Sequence, residues 1–440
     1  MKQQKWGIIG GGIMGMTIAH RLSQKGQKVI LFEAAPDLGG LTSAWKLNGF
    51  VWDRFYHVIL LSDLWTRGIL KELGLEDKIE WVETKTGFYT DGKLYSMSNT
   101  IEFLSFPPIN LIDKFRLGLT IFVASKLKNW KRLETIPVTT WLRKWSGENT
   151  FNKIWLPLLR AKLGESYKQT SAAFIWATIQ RMYAARNSGL KKEMFGYVQG
   201  GYAQILESYK NKLVSENIEI KVSHQALEIK TGPDSKPVVK FSNGFEESFD
   251  KIIITLPSGI AATLCKGILQ EEIDKLKQIQ YLGVICASIV LDKSISPYYV
   301  TNITDTWVPF TGIIEMSSLV DKKKFGGNAL IYLPKYLNPS DPLFNASDDE
   351  IKKLFLDALK QMYPFITDDN IKYVAIARAR NVFALSTLSY SQNLPNVKTS
   401  IPGVYILNSS HITNGTLNVN ETVQVAETKL NEILTSDEQE

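Results

Sequence analysis

The sequence predicts an α/β fold (α+β insertions) built on a parallel sheet, with a helical insertion and a mixed-sheet domain threaded between its pieces. Three observations predict it. At the N-terminus a short apolar strand runs into a glycine turn and then a helix. Continuous apolar runs, of the kind parallel strands buried on both faces require, recur at Val29–Phe32, Lys251–Thr255 and Gly403–Leu407. Between them the pattern changes, first to helical spacing and then to alternation. The chain has 440 residues, 44% hydrophobic and 22% charged, enough for two to three domains of ordinary composition. That excludes a disordered tail protein, a collagen-like repeat and a disulfide-stapled mini-protein.

Lys5–Ile9 is the first strand. Ile13, Met16, Ala19 and Leu22 then share one helical face, and Gly26 is a natural stop. The second strand ends at Glu33. From Leu61 to Ala185 the spacing predicts mostly helix, broken at Pro107-Pro108, Pro137 and Pro157. Tyr202–Ser215 reads as a helix, followed by strands at Ile218–Val222, Leu227–Ile229 and Val238–Phe241. Alternation around Gly283–Leu291 and Ala329–Leu333 predicts an antiparallel sheet, and Asn420–Leu434 a closing amphipathic helix. The pieces group as a discontinuous nucleotide-binding domain (1–60, 196–262 and 395–436), a mainly helical insertion (61–195) and a substrate domain (263–394).

Gly10-x-Gly12-x-x-Gly15 between strand and helix is a dinucleotide turn. Gly10 permits the tight turn, Gly12 lets the backbone approach a pyrophosphate, and Gly15 lets helix and strand pack closely. The helix N-terminus offers its first N–H groups, at Ile13 and Met14, to the phosphates. Glu33, 23 residues after Gly10, stands where a carboxylate accepts from ribose hydroxyls, and its charge disfavours the 2′-phosphate of NADP. The chain continues Ala34 to Leu38, then Gly39-Gly40-Leu41-Thr42, a second glycine pair six residues past the acid.

This arrangement resembles the flavin amine oxidase superfamily, which includes monoamine oxidases, protoporphyrinogen oxidases, carotenoid desaturases and UDP-galactopyranose mutases. The resemblance implies a Rossmann-like FAD-binding domain of glutathione-reductase type. It also implies that Gln199-Gly200-Gly201 and Glu219–Ile229 form the middle FAD segment, with the backbone near Ala226 at the adenine. Pro402–Ser410 and Gly415–Asn420 would close over the ribityl chain and ring, with contacts from Asn408, Ser409, Asn418 and Val419. Two departures stand out: Leu41 replaces an arginine found in many members, and Leu407-Asn408 replaces Gly-Asp. No cysteine lies near the C-terminal segment, which implies non-covalent FAD. No lysine lies on Gly283–Leu291, where amine oxidases often carry one.

Among chemistry-bearing residues, His57, after Arg54-Phe55-Tyr56, is the first choice for acid/base work or a ring contact, and a buried histidine satisfied by backbone is the competing reading. Arg160 and Lys162 are candidates to hold an anionic group of the substrate, against a solvated basic face. Arg378 and Arg380 share one face of a strand, and Tyr281, Tyr336 and Tyr390 are candidate cavity aromatics. Asn418 and Asn420 precede the last helix, Asn420 as candidate N-cap. Two cysteines (Cys265, Cys286) and four scattered histidines predict no metal centre.

The net charge of +7 is local: from Ile109 to Lys168 twelve Lys/Arg face four Asp/Glu, and the segment holds Trp130, Trp141, Trp145 and Trp155. Such a stretch suits an anionic membrane surface, with Leu117–Ala124 as an interfacial helix, or a phosphorylated substrate, or a merely solvated face. No nucleic-acid module accompanies it. Nothing approaches the roughly 18 apolar residues of a spanning helix. The apolar run after Lys2 and Lys5 is punctuated by glycines rather than ended by a cleavage site, so the expectation is a cytoplasmic protein, peripheral on the membrane at most. The leading function is an FAD-dependent oxidoreductase removing a hydride from a bulky, apolar or glycolipid-like substrate, with oxygen or another acceptor reoxidising the flavin. The alternatives are a flavin-dependent isomerase resembling UDP-galactopyranose mutase, and a non-catalytic prenyl-binding protein of the same fold. The sequence leaves the oligomeric state open.

Overall fold

In the computed structural model, which describes residues 3–184 and 193–437, the apolar runs pair as a five-stranded parallel sheet. Its strands are β1 (Lys5–Ile9), β2 (Lys28–Phe32), β3 (Glu219–Lys221), β4 (Lys251–Ile254) and β5 (Val404–Ile406), in the order β3-β2-β1-β4-β5. The register sets Ile8 between Leu31 and Ile253, and Ile253 beside Tyr405. Three distant parts of the chain therefore build one sheet.

Each face is covered differently. On one side lies α1 (Ile13–Gln24), with the helix Gly201–Ser215; Met16, Leu22 and Leu213 are fully buried there against Ile8 and Leu31. On the other side sits a three-stranded antiparallel sheet (Ala226–Thr231, Pro237–Phe241, Glu246–Ser248). Phe32 and Phe241 stack there 4.4 Å apart and fully buried, worth about 1.5–3 kcal/mol each in burial. Buried His20 of α1 binds Glu72 at 2.8 Å and Glu216 at 2.6 Å, tying three helices together.

The insertion opens differently from expectation. Helix Leu64–Glu72 is followed by strands Ile79–Glu83, Thr86–Thr90 and Lys93–Ser96 before the helices resume. Asp91-Gly92, both at positive φ, make the hairpin turn between the last two. Thr86–Thr90 then runs parallel to Val300–Ile303, so this hairpin completes a seven-stranded sheet of the substrate domain. Beyond it come the helix Thr100–Ser105, α2 (Leu111–Lys126), α3 (Leu156–Leu163) and the helix Ala172–Ala184; the expected end at Ala185 lies outside the described residues.

The strand Tyr281–Leu291 is buried along its whole length and pairs antiparallel with Ala329–Leu337 and Ile371–Ala384, as the alternation predicts. The chain closes with α4 (Val419–Asp437), whose Val423, Ala426 and Leu430 pack into the cluster beneath α1.

Candidate functional site

The first glycine turn has the shape its sequence requires. Gly10 has φ +115°, and a Cβ on Gly15 would lie 1.9 Å from the Gly10 carbonyl oxygen, so helix and strand meet only because both are glycine. A Cβ on Gly12 meets nothing within 4 Å, so the open space there lies on the outer side of the turn. Gly12 caps α1 without any side chain, so no side-chain oxygen occupies the first turn of the helix, where the N–H groups of Ile13 and Met14 lie.

Glu33 sits half-buried at the end of β2. Its carboxylate accepts from the Gly11 N–H at 2.7 Å and the Ala35 N–H at 2.8 Å, which fixes its orientation beside the turn. Ala34 is exposed between them. Gly11 was not singled out by the spacing, yet a Cβ there would strike Leu38 at 2.5 Å. The second glycine pair folds onto the first: the Gly39 N–H donates to the Gly11 carbonyl at 2.9 Å, and a Cβ on Gly40 would lie 3.4 Å from Gly12 Cα. Thr42 closes this turn on the Gly39 carbonyl, and Leu41 follows Gly40 in the same short helical turn. Across from Glu33, the His224 N–H donates to its backbone carbonyl, which brings the chain leading into Ala226 alongside.

Two glycine turns, an uncapped helix N-terminus and an anchored carboxylate thus converge at the carboxyl ends of β1 and β2. These groups fit an adenine dinucleotide: N–H donors for the pyrophosphate, an acceptor for ribose hydroxyls, and no side chain where the backbone must approach.

At the C-terminal segment the structure redistributes the expected roles. Asn408 is buried and fully committed to protein: its amide donates to the Leu256 carbonyl and Ser258, and its oxygen accepts from the Ser410 N–H and Tyr281. A ligand contact allowed there to Asn408, Ser409 or backbone falls to half-buried Ser409 or the backbone. Asn418, not Asn420, caps α4 by accepting from the Glu421 N–H, and Val419 opens the helix. Asn420 instead accepts from the N–H groups of Trp65 and Thr66, fastening α4 to the start of helix Leu64–Glu72.

The candidate catalytic residues are brought partly together. The Tyr56 hydroxyl bonds that of Tyr336 at 2.9 Å, and Lys162 Nζ stands 3.3 Å from the centre of the Tyr336 ring and 5.5 Å from that of Phe383. Burial draws the Lys162 ammonium from its ordinary 10.5 down to about 7 and pushes Tyr56 up to about 12. Both keep accessible surface all the same, as does Tyr336.

His57, next to Tyr56, donates from Nδ1 to the Phe55 carbonyl at 2.9 Å and packs on the Tyr202 ring at 4.9 Å. That bond fixes the neutral tautomer and leaves Nε2 as an acceptor. Burial lowers its pKa to about 4, so it is uncharged at neutral pH.

Arg160 does not join Lys162. Two residues along a helix turn the side chain by about 200°, and Arg160 emerges on the exposed face near Glu165 and Tyr167. Arg378 and Arg380 do share a face, but bind Asp348 with the Ala346 carbonyl, and Asn345 with the Pro339 carbonyl. Tyr390 donates to the Ser410 carbonyl inside the fold.

One residue near His57 escaped the sequence reading. Asp53 is 1% exposed, accepts from the Tyr202 N–H at 2.7 Å, and lies 3.9 Å from His57 Nδ1. Burial raises its carboxyl to about 8. A Cβ on Gly201 would sit 2.7 Å from it, which explains the second glycine of the Gly200-Gly201 pair. The hydroxyls of Tyr202 and Tyr299 are buried there without a partner. Among the described residues, no group of three His, Cys, Asp or Glu side chains is arranged to hold a metal.

The family described as flavin-containing amine oxidoreductase matches residues 13–407. A 15-cis-phytoene desaturase of Glycine max is 21% identical over 408 residues, covering 86% of this chain and 70% of that protein. The structure of a putative protoporphyrinogen oxidase from Exiguobacterium sp. 255-15 superposes with TM-score 0.77 at 18% identity, covering 98% of this chain and 99% of that one. That of a reduced UDP-galactopyranose mutase gives TM-score 0.74 at 18% identity, covering 98% and 96%.

Proposed function

This chain belongs to the flavin-containing amine oxidoreductase family, and from that premise we propose that it is an FAD-dependent oxidoreductase that removes a hydride from a bulky, largely apolar substrate. The observation that carries the reading is the aromatic surround of Lys162. The rings of Tyr336 and Phe383 face its amine, Tyr56 bonds Tyr336, and no carboxylate among the described residues pairs with the amine. An apolar substrate finds aromatic surface there.

FAD, held non-covalently, supplies the two-electron acceptor. The chain's own residues bind and orient it: the turn Gly10–Gly15 and the α1 N-terminus at the pyrophosphate, Gly39-Gly40 alongside, and Glu33 at the ribose. Both cysteines are buried in the core, which supports a non-covalent cofactor. A substrate that gives up a hydride is left short of electrons and sheds a proton. The acceptor available is the amine of Lys162, drawn by burial into the working pH range; His57, lowered to about 4, is too weak a base to take the proton near neutrality.

The isomerase alternative asks Arg160 and Lys162 to clamp phosphates together, and their separation by α3 weighs against it. The non-catalytic alternative does not need the intact phosphate turn and Glu33. Anaerobic titration of the FAD-loaded protein tests the reading against a panel of polyenes, cyclic tetrapyrroles, amines and nucleotide sugars. Bleaching of the flavin band by an apolar donor is expected. Failure to take up FAD, or turnover of a nucleotide sugar only after chemical pre-reduction, would overturn it.

A further inference from the structure

Helix α2 is built inside out. Its inward face carries Asp113, Thr120 and Ala124 among the buried residues, while Leu111, Ile112, Phe115 and Phe122 are 71%, 73%, 72% and 54% exposed. At 100° per residue these four fall within one 100° arc, a stripe running about 16 Å along the helix. Ile101 and Leu104 of the preceding helix, 80% and 52% exposed, extend it. Isolated exposed apolar residues are ordinary; six bulky ones on adjoining helices are not.

The charges around the stripe say what covers it. Lys126, Lys128, Lys131 and Arg132 follow directly at the C-terminal end of α2, all exposed, and no carboxylate among the described residues pairs with any of them. The acids of this segment are used elsewhere: Asp113 binds Asn149, Glu134 binds Ser391, Glu148 binds Arg143, and Glu165 binds Lys168. Of the four tryptophans of the segment, Trp130 and Trp145 are half-buried, while Trp141 and Trp155 are buried and take no part. Nor do Leu117 and Ala124, the ends of the expected interfacial stretch, which face the core.

We propose that this face, the outward stripe of α2 with the helix before it and the basic rim behind, docks on an anionic lipid surface. The apolar side chains enter the acyl boundary while the lysines and Arg132 meet the headgroups, a partition that needs no spanning helix. Among the described residues no helix is long and apolar enough to span. A second copy of the chain is the rival occupant. It would bring two unneutralised basic rims to one interface, which disfavours self-pairing. Behind the stripe, the buried side of α2 belongs to the same apolar cluster as Phe383, with Tyr336 packed on its edge. The docking face and the aromatic rings beside Lys162 are therefore backed by one apolar cluster.

The test is co-sedimentation of the full-length FAD-loaded protein with phosphatidylcholine vesicles, with and without phosphatidylglycerol, at low and high salt. Binding to the phosphatidylglycerol vesicles is expected, weakened by salt. Lys128→Gln and Lys131→Gln should each lower it about fivefold. Ile112→Glu with Phe115→Glu should abolish it while leaving flavin absorbance and the thermal transition unchanged, since both side chains are exposed. No binding of the wild type to either vesicle, or unchanged binding of the double-Glu variant, would overturn the proposal. So would a wild-type dimer that the double-Glu variant converts to monomer. The readout involves no turnover, so its failure would leave the oxidoreductase reading where it stands.

Discussion

Replacing Lys162 with methionine should stabilise the protein at neutral pH and remove a titration from its chemistry. Burial moves the ammonium from 10.5 to about 7. At 1.36 kcal/mol for each tenfold change, the protonated form is disfavoured in the fold by ~5 kcal/mol. A penalty of about 4–5 kcal/mol at pH 7 and below follows for the wild type. Between the folded and unfolded values the unfolded chain holds more protons, so wild-type stability rises with pH from about 7 to 10.5, and the penalty is gone above that. Methionine has similar volume and no charge. Urea unfolding at constant FAD should therefore show Lys162→Met more stable by about 4–5 kcal/mol at pH 7, with the two proteins converging near pH 10. In anaerobic reduction the wild-type rate should rise through pH 7, and the variant's should not. A stability gap that stays constant from pH 6.5 to 10 would refute the reasoning, because it would mean Lys162 is charged throughout.

Three further outcomes follow from the geometry. Gly15→Ala should block folding of the turn or FAD uptake, since its Cβ meets backbone at 1.9 Å; Gly12→Ala should leave the thermal transition intact and weaken FAD retention alone, as read by absorbance after gel filtration. Glu33→Gln exchanges a charged acceptor of two backbone N–H groups for a neutral one that also brings donors, at about 1.5–3 kcal/mol, so FAD affinity should fall at least tenfold in equilibrium titration. Asp53 titrates near 8 instead of its ordinary 3.8 because it is buried, so the folded state holds its proton over that interval. Wild-type stability relative to Asp53→Asn should accordingly decline as pH rises from 4 to 8; a flat difference in denaturant midpoints would show the carboxyl to be ionised throughout.

The parallel sheet and its phosphate turn were readable because each depends on local signals: unbroken apolar runs, glycines at fixed spacing, an acid at a strand end. The hairpin of Thr86–Thr90 and Lys93–Ser96 carried an equally local signal, Asp91-Gly92, but it lay inside a stretch whose helical spacing dominated. Asn48-Gly49, between Ala44–Leu47 and Phe50–Asp53, is a second turn of that kind. The site's middle was harder. Tyr336 meets Tyr56 across 280 residues of chain, and no spacing rule reaches that far. Asp53 carried no signal in the sequence because its partner, the N–H of Tyr202, is supplied by a helix that arrives 149 residues later. The grouping of Arg160 with Lys162 failed on elementary helix geometry, which separates residues two apart.

The sheet order has a consequence for how the protein is made. β1, at the centre of the sheet, leaves the ribosome first, whereas the edge strand β5 that pairs with β4 begins at residue 404. At about 5–20 residues per second, roughly 20–80 s separate the first strand from the last. From the synthesis of β4 until then, roughly 8–30 s at the same rate, β4 presents an open parallel edge of Lys251–Ile254, three isoleucines with nothing beside them, and the segment Asn408–Val419 has yet to appear. Nascent chains of this fold are thus expected to depend on a holding chaperone until translation is nearly complete. Yellow colour then reports that synthesis has finished: a product truncated anywhere before Val404 should stay colourless and associate through the unpaired edge.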